Sequence, residues 1–167
     1  VVTYSFVDPA LQKMVDPGLM PVALANPISA DMAVMRTSLW SGLLQTAVYN
    51  LNRQQSRVRI FEAGQCFVPA SDGQTGAVLG LAQNMALAGL ICGARTSTGW
   101  TANKDKVDFY DIKGDLESLL GITGLAAEFT FDAGIHPALH PGQSAALSRN
   151  GLQVGWVGQL HPKIQAD

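Results

Sequence analysis

The chain has 167 residues, 47% of them hydrophobic and 14% charged, a balance that suits one globular domain with a real core and excludes intrinsic disorder. A net charge of −2 supplies no clustered cationic field, so the overall charge gives no reason for direct nucleic-acid binding. Its two cysteines, Cys66 and Cys92, are too few for a cysteine-rich zinc module; both lie in apolar runs and read as small buried side chains of a reducing compartment.

In chain order, "VVTYSF" is β-branched and aromatic and predicts a strand. "DPALQKMV" predicts a helix with Asp8 as its N-cap and Pro9 at the first helical position, stopped by "DPG" from Asp16 to Gly18. "PVALANPIS" is expected to be extended, because Asn26 precedes Pro27 and the residue before a proline is pushed out of the α region. From Ser38 onward, Leu39, Trp40, Leu43, Leu44, Ala47, Val48 and Leu51 recur every three or four residues, the pattern of a long amphipathic helix. It runs into "RVRIFEAGQCFVP" at 57–69, a long strand opened by two arginines. Arg53, Arg57 and Arg59 form the one local basic cluster, which reads as a solvated helix end and strand start rather than an RNA patch.

"PASDGQTGAVLG" at 69–80 predicts a flexible loop that requires no domain boundary. "NMALAGLICGA" reads as a buried strand; its apolar run is too short to span a bilayer, and the amino terminus lacks the basic-then-apolar plan of a signal peptide, so a cytoplasmic location is expected. Asp111 is expected to cap a helix whose Ile112, Leu116, Leu119 and Leu120 share a face, with "GITG" ending it. "AEFTFDA", "QSAALSR" and "LQVGWVGQL" predict strands, the last two joined by "NG", a hairpin turn signal. A start without methionine and the incipient helix in "HPKIQAD" give the look of a fragment of something longer. Strand dominance with hairpin links predicts an α+β fold, a largely antiparallel sheet with helices packed against it, in one module over 1–167.

His136 and His140 have a spacing that would serve zinc on a helix, but each precedes a proline and no third ligand is evident, so they are expected to be turn or loop histidines. Ser144, His140 and Asp111 could be composed into a triad, yet no GxSxG elbow exposes a nucleophile. A phosphate-binding loop and a dinucleotide fingerprint are both missing.

"NPIS" (26–29), "MRTSLWSGLL" (35–44), "NLNRQ" (50–54), "RIFEAGQCF" (59–67), "DFYDIKGDLESLL" (108–120), "HPALHPGQSA" (136–145) and "VGWVGQLHP" (154–162) occur in that order. Together they resemble, over nearly the whole chain, the catalytic-like core module of the β subunit of bacterial phenylalanyl-tRNA synthetase. The resemblance implies a class II aminoacyl-tRNA synthetase-like antiparallel sheet flanked by helices that is not itself catalytic. It implies pairing with the α subunit in an (αβ)2 enzyme that uses ATP and magnesium to attach phenylalanine to its tRNA, with no cofactor in this module and no membrane or DNA partner. In class II relatives the second signature motif presents an arginine at a strand end to meet the charge on the α-phosphate; that position here is Val68, followed by Pro69. The first signature motif forms the dimer interface of such enzymes, so the resemblance places the subunit contact on Asn26, Pro27, Ile28, Arg36, Leu39, Trp40, Leu43, Leu44 and Arg53. The alternative is a degenerate synthetase-like domain still holding an amino acid or nucleotide, its pocket near Val68, His140, Gln143 and Ser144.

Overall fold

The computed structural model describes residues 1–70, 80–97, 99–100 and 105–166; most of the expected flexible loop, 71–79, lies outside the described residues. The fold is α+β with antiparallel sheets and flanking helices, and the chain divides into two compact units, Val1–Cys92 and Gly93–Asp167.

In the first unit, helix α1 (Pro9–Val15) begins as its sequence demands: the Asp8 carboxylate accepts from Ala10 N–H at 2.7 Å and Pro9 needs no donor partner there. "VVTYSF" forms a strand only at its end, where β1 (Phe6–Val7) pairs with β2 (Val34–Met35). The residues before it are held by the bonds of Thr3 to Glu62 and Arg36 and by Arg36 N–H donating to Ser5 O at 2.9 Å, without a ladder. "PVALANPIS" is extended at Ala23, which bridges to Val34, and a single 3-10 turn at Ala30–Met32 follows it. Helix α2 (Trp40–Leu51) starts two residues later than its periodicity suggests, with Leu39 as N-cap. Its inward stripe is Leu39, Leu43 and Ala47, all buried. Gly42 belongs to that stripe because a Cβ there would stand 2.3 Å from Thr3 Oγ1.

Strands β3 (Arg57–Pro69) and β4 (Leu81–Gly93) make a two-stranded sheet, and β4 begins earlier than its apolar run indicates. Ala70 N–H donates to Gly80 O at 2.8 Å beside the turn, and at the far end the Cys92 thiol meets the backbone of Val58, the progression of an antiparallel pair. Even-numbered Val58, Glu62 and Cys66 point inward, following the period of two.

In the second unit, helix α3 (Phe109–Ile122) packs on a three-stranded antiparallel sheet in the order β5 (Phe129–Ala133), β6 (Leu139–Arg149), β7 (Leu152–Leu160). Its cap is Asp108, not Asp111. The Asp108 carboxylate accepts from Tyr110 and Asp111 N–H groups, while Asp111, at the third helical position, accepts from Asp108 N–H at 2.8 Å. This is a reciprocal capping box, with aspartate in the place more often held by glutamate. Beyond the helix Gly124 adopts φ +72, as a terminating glycine does. The expected "NG" hairpin joins β6 to β7, with Asn150 at φ 50 and Gly151 at φ 80.

The expectation of two turn histidines holds for His136 alone, because His140 lies inside β6. A register shift between Leu139 and Ser144 absorbs Pro141, which has no N–H for a regular ladder. Helix α4 (Pro162–Ala166) starts where "HPKIQAD" suggests. Among the described residues no helix is long and apolar enough to cross a membrane.

Candidate functional site

The motif "MRTSL" follows β2, and its Arg36 side chain turns into the first unit. Arg36 Nη1 donates to Glu62 Oε1 at 2.8 Å and to Thr3 Oγ1 at 3.0 Å, while Nε donates to Gln65 O at 2.9 Å. Thr3 Oγ1 in turn donates to Glu62 Oε2 at 2.7 Å, and Thr3 N–H reaches Oε1 at 3.2 Å. The two charged side chains are 5% and 2% exposed. Such a pair survives burial because nearly every donor and acceptor is matched. Burial by itself raises the pKa of the Glu62 carboxyl, but the hydrogen bonds from Thr3 and Arg36 outweigh it and hold the group below the usual glutamate value. Gly64 leaves room for the guanidinium, since a Cβ there would be 2.5 Å from Arg36 Nη2. Burial pushes the neighbouring Cys66 thiol up.

A second buried set joins the same motif to α1. Thr37 Oγ1 accepts from Gln12 Nε2 and donates to Asp16 Oδ2 at 2.7 Å, and Thr37 N–H donates to Gln12 Oε1 at 3.3 Å. Sequence reasoning missed Glu62, Thr3 and Gln12. One signal was present: Glu62 sits on the inward face of a strand whose other inward residues include Val58, Ile60 and Cys66, and a carboxylate there needs a cation.

Of the residues expected at a subunit contact, Arg36, Leu39 and Leu43 are 4%, 2% and 0% exposed, enclosed by their own unit. Leu39 and Leu43 lie on the inward stripe of α2, and Arg36 is closed in by the Thr3–Glu62 network. Trp40 and Leu44 are half-buried, whereas Asn26, Pro27, Ile28 and Arg53 are exposed. The outward side of α2 adds exposed Val48, Tyr49 and Leu51, with the Arg53 guanidinium 3.4 Å from the centroid of the Tyr49 ring. Sequence periodicity had placed Val48 and Leu51 on the apolar stripe and did not single out Tyr49.

Of the residues expected at a degenerate pocket, two share one cleft. Gln143 and Ser144 line an open cleft in the second unit with Asp108, Phe109, Lys113 and Phe131. Ser144 Oγ is already committed, donating to Gly134 O at 2.6 Å. His140 is not among the lining residues; its Nδ1 accepts from Gly142 N–H at 3.1 Å. Val68 belongs to the first unit, half-buried at the end of β3. Among the described residues no group of three His, Cys, Asp or Glu side chains could hold a metal ion.

The geometry is that of an α+β module of antiparallel strands, with a buried ion pair inside its first unit. Residues 1–167 match the family model described as the phenylalanyl tRNA synthetase beta chain CLM domain, and the chain belongs to that family. It is 52% identical over 163 residues to the phenylalanine–tRNA ligase beta subunit of Pseudomonas fluorescens, covering 98% of this chain and 20% of that protein. The beta subunits of Pseudomonas savastanoi pv. phaseolicola and Pseudomonas syringae pv. syringae are each 51% identical, with the same coverage. The chain thus spans about a fifth of the length of the curated relatives it matches.

Proposed function

We propose that residues 1–167 act as one non-catalytic synthetase-like module of a phenylalanine–tRNA ligase β subunit, holding the catalytic α subunit in a cytoplasmic (αβ)2 enzyme. The observation that carries this reading is Val68 at the end of β3. Amino-acid activation places charge on the α-phosphate of ATP; a preorganised cation there is worth several kcal/mol of transition-state stabilisation, on the order of 3, and valine supplies none. ATP, magnesium, phenylalanine and tRNA are used by the parent complex and not by this chain.

The contact with α runs over the exposed residues Asn26, Pro27, Ile28, Val48, Tyr49, Leu51 and Arg53 and not over the enclosed Leu39 and Leu43. An apolar residue left in water is an unspent part of the hydrophobic driving force, and Ile28 is 84% exposed. Co-expression with an α subunit tests the reading: co-purification together with no phenylalanine-dependent pyrophosphate exchange by this chain alone is the expected result. Exchange above a contamination control overturns it.

The cleft beside Gln143 favours a second reading, a vestigial small-molecule site, because the Gln143 side chain is exposed there beside Phe109 and Tyr110. Saturable binding of phenylalanine or adenosine, lost in Gln143→Ala, would support it.

A further inference from the structure

Asn150 and Gly151 form the two-residue turn of the β6–β7 hairpin, at φ 50 and φ 80, and both are exposed. In such a turn the flanking residues, here Arg149 and Leu152, pair with each other, and the N–H of the second turn residue stays out of the ladder. A Cβ on Gly151 would meet nothing within 4 Å, so its backbone nitrogen stands in open space. The turn is fastened through Glu128. Asn150 N–H donates to Glu128 O at 2.9 Å, and Asn150 Nδ2 reaches Glu128 Oε2 at a long 3.4 Å, while the same oxygen accepts from Arg149 Nε at 2.7 Å.

An asparagine amide and the backbone nitrogen of the next residue are spaced to close a five-membered ring. When the Asn150 side chain leaves Glu128 during a local opening of the turn, the Gly151 nitrogen comes within reach of Asn150 Cγ. Other asparagines are less well placed. Asn26 precedes a proline, whose nitrogen carries no hydrogen, and Asn50, Asn52 and Asn84 precede Leu51, Arg53 and Met85, whose side chains crowd the approach. Glycine adds no such hindrance and admits the backbone conformations that ring closure requires.

We propose that Asn150–Gly151 is a self-modifying site, at which the Asn150 side chain deamidates with water as the only co-reactant and the product loosens the β6–β7 hairpin. The Gly151 nitrogen bonds to Asn150 Cγ and gives up its proton; the Cγ–Nδ2 bond breaks and that nitrogen leaves as ammonia. Water then opens the cyclic imide at either carbonyl, leaving aspartate, or isoaspartate with the main chain routed through the side-chain carbon. Both products put a carboxylate where Glu128 Oε2 had a donor. Arg149 already serves that oxygen, so one cation is left to two anions, and like charges side by side repel. Isoaspartate also adds a carbon to the backbone of a turn whose length sets the pairing of Arg149 with Leu152. The inference does not rest on the surface assigned to α.

Incubation of the chain in mildly alkaline buffer made with heavy-oxygen water, followed by peptide mass spectrometry, tests the chemistry. Labelled acid at position 150, as aspartate and isoaspartate, is expected about tenfold or more ahead of Asn50, Asn52 and Asn84. Asn150→Asp keeps a turn-forming Asp–Gly pair and reads the consequence: exchange at the Leu152 amide should quicken about threefold, and Glu128→Gln in that background should reverse the change. Conversion at position 150 no faster than at Asn84 overturns the proposal. So does an Asn150→Asp chain whose Leu152 amide exchanges as before, or whose faster exchange Glu128→Gln does not relieve.

Discussion

The two units use the same kinds of charged residue in opposite ways. In the first, Arg36 and Glu62 are shut away from water and tied to Thr3 and Gln65. In the second, Arg95 meets Asp108 and Asp111 at 2.7 and 3.0 Å, equally short contacts, but its side chain is 41% exposed. Distance alone therefore does not rank these bridges; access of water does. A buried pair costs much to assemble, yet losing one partner strands the other in a medium that cannot solvate it, whereas an exposed partner simply returns to water.

The strongest way to break this comparison is Glu62→Ala, which leaves the Arg36 guanidinium buried and unpaired. A loss of about 3–5 kcal/mol in urea denaturation is expected. The double change Arg36→Met with Glu62→Leu should recover most of it, since no charge is then stranded. A small loss in the single variant would mean that water reaches the pair. The same carboxylate sets a pH dependence. Its folded pKa lies below the ordinary glutamate value of about 4.5, so its contribution is fully present above about pH 4.5 and is lost as pH falls through the lower folded value. Glu62→Gln should flatten that part of the stability profile.

Gly64→Ala sharpens the comparison without touching a charge. The new methyl contests the space of Arg36 Nη2 and should cost about 1–3 kcal/mol, read by thermal unfolding. In the second unit, Asp108→Ala removes the cap of α3 and should cost about 1 kcal/mol, with the loss appearing as helix fraying in amide exchange. Arg95→Ala comes last. With its guanidinium at the surface, it should leave the urea midpoint unchanged within error, and an effect as large as that of Asp108→Ala would show that the bridge, not the cap, secures the helix.

Local signals made much of the fold legible. The Asp8–Pro9 helix start, the periodicity of α2 and the Asn150–Gly151 hairpin each reside in a few consecutive residues, and the structure follows them. The α3 cap was misplaced by three residues because Asp108 and Asp111 have the same chemistry, and only the reciprocal bonds tell the cap from its answering residue. The start of β6 was hidden by His–Pro punctuation, which normally ends a strand and is tolerated here by a register shift. The candidate site was less legible still. A helical stripe identifies apolar residues but not whether the same unit covers them, so Leu43 and Val48 look alike in sequence and differ completely in exposure. Arg36 posed the same problem, its partner being 26 residues away.

The Thr3–Glu62 hydrogen bond spans 59 residues, while the bonds of Arg95 to Asp111 and Asp108 span 16 and 13. Closing a long loop precedes any reward from the contact it permits, so the order in which these bonds form is set by chain entropy more than by their strength. The amino-terminal segment, tucked past Gly42 onto Glu62, therefore docks late in folding, and mutations at Thr3 should accelerate unfolding while leaving the refolding rate nearly untouched.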